Sequence, residues 1–298
     1  QTNLFANNKI TINKNLIIDD IQFPPLIPIL DDSIIEKNRL RTQEIFTSII
    51  NQRNDGPKNA LYMEEFYDVT VKICDMTPYC NSLLFSRAYQ SCHTEEEIKA
   101  ATYLVEDDNT PQLIPTLTVD EFLSYWHQYL APYDGTSRFF KLLCNDDVNY
   151  LVRQDFVPIV SQIIKLHPGL RFLERVPLFQ DKYAITTIAR IFYEINKSGS
   201  ERMTLNELKK SNFLETLVML SNEEDINKIY DYFSYEYYYV IYCKFWELDT
   251  DHNSLINLDD LLAYDNYSLT HVAAERIIHS YGRFSNRSGT QGIMNYED

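Results

Sequence analysis

The stretch FSYEYYYVIYCKFWELDTDHNSLINLDD, residues 233–260, constrains the fold more than any other, because a helical run delivers oxygen donors at fixed spacing. Asp249, Asp251, Asn253, Asn257 and Asp260 occupy positions 1, 3, 5, 9 and 12 of a loop, and Leu255 offers a main-chain carbonyl at position 7. Hard divalent cations want many oxygens, and a loop wrapped around the ion supplies them from alternating positions. The flanks agree: Ile241, Phe245 and Leu248 recur at helical spacing before the loop, and Leu261 and Tyr264 follow it. Ile256, at position 8, would join a neighbouring loop through a short strand. The spacing therefore predicts an EF-hand whose metal ligands are Asp249, Asp251, Asn253, Leu255, Asn257 and Asp260, with Ca2+ as the ion.

Two positions depart from the pattern. Position 6 is normally Gly because the backbone turns sharply there, and here it is Ser254. A non-Gly residue in a left-handed conformation costs about 1–2 kcal/mol. Position 12 is Asp260 rather than the longer Glu, so one oxygen contact is lost or replaced by water. A solvated acidic turn that merely keeps the fold is the plainer alternative.

An apolar residue followed four positions later by an acid recurs along the chain: Leu117 with Glu121, Leu151 with Asp155, Met203 with Glu207 and Ile293 with Glu297 echo Ile256 with Asp260. The segment LYMEEF, after the polar loop NQRNDGPKN, has the same order. The spacing between echoes is irregular, which excludes a solenoid. These features predict an all-α fold, an elongated array of EF-hand-like helix-loop-helix pairs that are mostly degenerate. Loop 196–207 offers Asn196, Ser198, Ser200 and Glu207, but its lack of carboxylates would leave a cation under-coordinated. At Thr118–Glu121 and Thr204–Glu207 a helix-capping box explains the residues.

Three segments follow. Residues 1–31, with Phe23-Pro24-Pro25 and Pro28, read as an extended proline-containing arm. Residues 32–169 read as a degenerate EF-hand-like lobe, beginning with a helix near 33–51. Residues 170–298 read as a second lobe carrying loop 249–260, with the lobe boundary at Pro168-Gly169. The chain has no initiator Met and stops where a helix should begin, so a longer protein is expected.

With 298 residues the chain can bury a substantial core, and only seven Gly favour helical packing. The net charge of −16 argues against nucleic acid or an anionic membrane as partner and leaves cations and basic protein surfaces. Cys74, Cys80, Cys92, Cys144 and Cys243 form no CxxC pair and read as buried thiols of a reducing compartment. The densest apolar stretch, Tyr237–Cys243, is far too short to span a membrane. A cytoplasmic location follows, with cytoskeletal association or the nucleus as alternatives. GxxxxGK[ST], GxGxxG, GxSxG and HExxH are all absent, so nothing points to an enzyme. His252, at loop position 4, is expected to face solvent, and Tyr235–Tyr239 to form the packed face of the entering helix.

Residues 167–198 (HPGLRFLERVPLFQDKYAITTIARIFYEINKS) and 233–252 (FSYEYYYVIYCKFWELDTDH) closely resemble the B-double-prime family of regulatory subunits of protein phosphatase 2A. SNFLETL (211–217) and EEDIN (223–227) fit the same pattern. The resemblance is strong over 155–262 and looser over 60–150, where DEFLSYW is similar to the family's scaffold-side helix. It implies an elongated body of EF-hand pairs with two calcium sites. The first matches Asp249, Asp251, Asn253, Leu255, Asn257 and Asp260, and the second would lie beyond Asp298. The family's own loop often lacks Gly at position 6, while Asn253 stands in place of an acid. The resemblance further implies a non-catalytic protein that binds the HEAT-repeat scaffold and the catalytic subunit and selects phosphoprotein substrates. A structural EF-hand protein of a cytoskeletal or ciliary assembly is the alternative.

Overall fold

Apolar residues three and four apart wind the chain into α1 (Asp32–Gln52), with Phe46 buried against the body. The computed structural model describes residues 32–98, 114–145, 148–279 and 292–297, so the predicted arm over 1–31 lies outside the described residues. After α1 the polar loop ends in β1 (Ala60–Tyr62), which pairs antiparallel with β2 (Thr116–Thr118), Leu61 facing Leu117. The same contact recurs as single bridges between Leu151 and Met203 and between Ile256 and Met294. In the bridges both residues exchange N–H···O bonds, at 2.8 Å each way for Leu151 with Met203 and at 2.8 and 2.9 Å for Ile256 with Met294. These are the apolar residues of the echoed motif. The described chain therefore folds as three pairs of hands, joined at their loops, and the class is all-α.

The helices fill in around these couplings: α2 (Tyr67–Lys72), α3 (Asn81–Cys92), α4 (Val119–Tyr125), α5 (Gly135–Leu143), α6 (Arg153–Leu166), α7 (Pro177–Ile195), α8 (Leu205–Lys209), α9 (Phe213–Asn222), α10 (Tyr235–Leu248), α11 (Leu258–Leu262) and α12 (His271–Ile278). In five hands the acid at position 12 accepts a hydrogen bond from the N–H at position 9. The pairs are Tyr62 to Glu65 (3.0 Å), Thr118 to Glu121 (2.8 Å), Val152 to Asp155 (2.7 Å), Thr204 to Glu207 (2.9 Å) and Asn257 to Asp260 (3.1 Å). A free helix-start amide is satisfied each time. Capping is thus common to these hands and says nothing about which of them takes an ion.

One apolar core runs from Phe46 to Tyr238 and includes both of the first two pairs. A smaller one, built on Ile256, Leu261, Ala274 and Ile278, belongs to the third pair. Pro168-Gly169, where the sequence suggests a boundary, runs along the large core: Pro168 is exposed and Gly169 half-buried, but their neighbours His167 and Leu170 are buried. His167 is fully buried there; its Nδ1 accepts from Gly169 N–H at 3.1 Å and its Nε2–H donates to the Glu223 carbonyl at 3.0 Å. The carbonyl of Glu224 lies 2.9 Å from where a Cβ on Gly169 would be, so only Gly admits this approach. The division of the core falls instead within α10. Its Tyr238 is buried in the large core, and Phe245 and Leu248 pack on the small one.

Two expectations need correction. Met294, not its neighbour Ile293, faces Ile256, which moves the last loop on by one residue. Gly292 then takes position 6 with φ of +83°, the left-handed turn that Glu201 (+57°) and Ser254 (+65°) make two residues before their own bridges. Among the cysteines, Cys74, Cys80 and Cys144 are buried as expected, whereas Cys92 is exposed and Cys243 half-buried; all five thiols are free.

His167 links the α6 exit to the residues after α9, so its protonation state bears on stability. Burial pushes the imidazole below its ordinary value of 6.5. The unfolded chain therefore takes up a proton that the folded chain resists. The contribution is complete above that pH and is lost as pH falls through and below it. Thermal unfolding should show His167→Asn losing less stability than the parent between about pH 7 and pH 5.5. His127, also pushed down by burial, contributes equally in both chains.

Candidate metal centre

The loop 249–260 begins where α10 ends. Asp249 is the C-cap, its N–H still bonded to the Phe245 carbonyl at 2.9 Å. Its carboxylate is fully buried and accepts from the N–H groups of Asn253 (3.0 Å, Oδ1) and Ser254 (2.9 Å, Oδ2). Asp251 Oδ1 shares the Asn253 N–H at 3.3 Å, and Asp251 Oδ2 accepts from Asn253 Nδ2 at 2.8 Å. Asn253 Oδ1 in turn accepts from Leu255 N–H at 2.7 Å. Positions 1, 3 and 5 are therefore gathered into one hydrogen-bonded set at the loop's entry.

The exit is organised by the helix start. Asn257 Oδ1 caps α11, accepting from Asp259 N–H (2.8 Å) and Asp260 N–H (3.1 Å). Asp260 Oδ2 reaches back to Asn257 N–H, and its Oδ1 accepts from the Thr250 hydroxyl at 3.3 Å. Asp260 thus meets the loop at position 2 and shows no hydrogen bond linking it to Asp249 or Asp251. Among the described residues, no three His, Cys, Asp or Glu side chains gather tightly enough to hold a metal. Position 12 is Asp260, one methylene shorter than the usual Glu.

The donor chemistry nevertheless fits a hard divalent cation. At its ligand positions the loop holds three carboxylates, the side chains of Asn253 and Asn257 and the Leu255 carbonyl. Burial points the same way. Of the 43 acidic residues in the sequence, Asp249 (0 % exposed) and Asp260 (8 %) are the buried ones among the described residues. A carboxylate is costly to remove from water unless a partner compensates it. Two such groups closing one loop, one at each end, mark it as different from the other hands.

His252 is exposed, as position 4 requires, and takes a positive φ of +57°. The aromatic run departs from expectation. Tyr238 is buried, but Tyr237 and Tyr239 are each 47 % exposed, because five successive helical residues turn through more than a full circle and cannot share one face. Sequence reasoning also passed over Thr250, whose hydroxyl occupies Asp260, and Tyr296, whose hydroxyl lies 2.7 Å from Thr186 Oγ1 on α7. Tyr296 packs edge-on against Phe245 at 5.2 Å and so ties the third pair to the body.

Ser254 makes the turn with a side chain where Gly is preferred. Ser254→Gly should remove about 1–2 kcal/mol of left-handed strain, part of it offset by the greater freedom of Gly in the unfolded chain. A rise of about 2 °C in the unfolding temperature, read by calorimetry, is expected. No change, or a fall, would mean that Ser254 makes compensating contacts.

A family model described as EF-hand domain matches residues 134–223, which is the second pair of hands and not loop 249–260. A protein from Arabidopsis thaliana, named as the probable B''delta regulatory member of serine/threonine protein phosphatase 2A, is 39 % identical over 250 residues, covering 84 % of this chain and 43 % of that protein. The alpha form of the B'' regulatory component of protein phosphatase 2A from Homo sapiens is 43 % identical over 183 residues, covering 61 % of this chain and 16 % of that protein. A solved PP2A PR70 holoenzyme, described as diCa, contains a chain similar to this one. The match has a TM-score of 0.52 at 44 % identity and covers 55 % of this chain and 60 % of that one. The chain spans less than half the length of the curated plant relative.

Proposed function

The chain is a homologue of the B'' regulatory subunits of protein phosphatase 2A, and we propose that it acts as a calcium-responsive, non-catalytic component of that phosphatase. In this role it binds the HEAT-repeat scaffold and the catalytic subunit and directs them to phosphoprotein substrates. Identity of 39 % over 84 % of the chain supports the phosphatase assignment, as does the likeness to a chain of a solved holoenzyme. The cytoplasm is the compartment that this role and the free thiols suit.

The calcium response is assigned to loop 249–260. The observation that carries it is the burial of Asp249 and Asp260, the acids at its first and last positions. Asp249, Asp251, Asn253, Leu255, Asn257 and Asp260 would hold the ion. The ion would supply the positive charge that offsets the three carboxylates. Asp249 is already oriented by two main-chain N–H groups. Asp260, which accepts from the Thr250 hydroxyl, would supply the last carboxylate to the ion at the start of α11. Because α10 is shared by both cores, a change at its C-terminal end reaches the body through Phe245 and Leu248 on one side and Tyr238 on the other. In functional terms the first two pairs form a fixed body and the third pair the regulated part.

Two measurements follow. A pull-down from cell extract should recover both the scaffold and the catalytic subunit, with no phosphatase activity in the isolated chain; recovery of neither would refute the phosphatase assignment. In titration calorimetry, Asp249→Ala should abolish calcium binding while circular dichroism shows the helices intact. Asp260→Glu should tighten calcium binding and leave magnesium unchanged or weaker, since the longer side chain restores a bidentate ligand that magnesium does not use. Calcium binding by Asp249→Ala equal to the parent's would place the ion elsewhere.

A further inference from the structure

An EF-hand ordinarily holds a cation, yet the described residues at the first loop positions of the matched domain over 134–223 do not suit one. In loop 144–155 the first ligand position is Cys144, which burial keeps protonated by pushing its thiol up. That thiol donates to the Val148 carbonyl at 2.9 Å and to the Tyr150 carbonyl, at position 7, at 3.6 Å. A neutral donor thus faces oxygens that would otherwise turn to an ion.

Loop 196–207 shows the substitution more completely. Asn196, fully buried at position 1, aims its Nδ2 into the loop. Around that one nitrogen lie Ser198 Oγ (3.0 Å), Ser200 Oγ (3.4 Å), the Arg202 carbonyl (3.3 Å) and both oxygens of Glu207 (3.1 Å each). These five atoms belong to positions 3, 5, 7 and 12, the positions that ligate calcium in an EF-hand. The amide's direction is fixed by its other end: Oδ1 accepts from the N–H of Glu201 at 3.0 Å. Turning the amide over would set two donors against each other there and press an oxygen against the Glu207 carboxylate. Burial alone would raise the Glu207 carboxyl, but donors from Thr204 and Ser198 outweigh it and hold it below its ordinary range. The group facing Nδ2 is therefore an anion.

We propose that the side-chain amide of Asn196 is the resident occupant of the cation position in this hand, so that the hand is closed without metal and does not respond to calcium. The first hand shows a related device. Arg53 donates from Nη1 to Glu65 (2.7 Å) and from Nη2 to the Ala60 carbonyl (2.8 Å), positions 12 and 7 of loop 54–65. Both are cases of the chain supplying its own donor where an ion would sit. The proposal is independent of whether loop 249–260 binds calcium and of the phosphatase assignment.

The test has two arms. In the parent chain, the side-chain NH2 of Asn196 should give slowly exchanging, resolved amide resonances that millimolar calcium leaves in place. Asn196→Asp turns the central donor into an acceptor facing Glu207. Its unfolding temperature in EDTA should fall by about 5 °C. Calcium should restore it, with one more bound equivalent than the parent and a Kd of about 10⁻³ M, since the new site has only two carboxylates. Asn196→Ala should lose stability equally in EDTA and in calcium, because it removes the occupant without adding a ligand. Displacement of the Asn196 resonances by calcium in the parent would overturn the proposal, as would a folded Asn196→Asp that gains no calcium equivalent. If Asn196→Asp fails to fold, the resonances of the parent decide alone.

Discussion

Everything in this structure rests on a pair of main-chain hydrogen bonds between loop apices. Leu61 with Leu117, Leu151 with Met203 and Ile256 with Met294 each hold two helix-loop-helix units face to face. A single hand has an apolar stripe that it cannot bury alone, and the coupling gives each stripe a partner. The same contact fixes the rest of the loop. Once position 8 is pinned, the carbonyl at position 7 and the N–H at position 9 have set directions, and the acid at position 12 finds that N–H in five hands.

The couplings produce modules, but the cores do not follow the modules. Two pairs share one core and the third keeps a small one, with α10 running through both. That arrangement makes α10 the mechanical link between the acidic loop and the body. Tyr296 adds a second tie, through Thr186 and Phe245, from the far loop of the third pair.

Inside the hands, one electrostatic problem has several solutions. A ring of inward oxygens needs positive charge or hydrogen-bond donors at its centre. Arg53 supplies a guanidinium, Cys144 a protonated thiol and Asn196 an amide, each from within the chain. In loop 249–260 the donors within the chain are the Asn253 amide on Asp251 and the Thr250 hydroxyl on Asp260, and no side chain donates to the buried Asp249 in its described hydrogen bonds. Asp249 instead accepts from two main-chain groups, the Asn253 N–H at Oδ1 and the Ser254 N–H at Oδ2.

The sequence by itself determined the elements and the hands. The periodicity of α1 and α10, the recurring apolar residue with an acid four positions on, and the oxygen spacing of 249–260 are local signals, set by helix geometry and by the reach of side chains within one loop. Homology with the B'' family was also legible, in residues 167–198 and 233–252. Tertiary structure alone decided three things. It chose Met294 over Ile293, because the left-handed turn at Gly292 sets the register and both neighbours are equally apolar. It packed the turn at Pro168-Gly169 against the large core, because His167 and Gly169 meet the backbone at Glu223 and Glu224, more than fifty residues away in the chain. It also turned Asn196 from an inadequate ligand into an occupant, because the orientation of an amide depends on what faces each of its ends, and spacing carries no record of that.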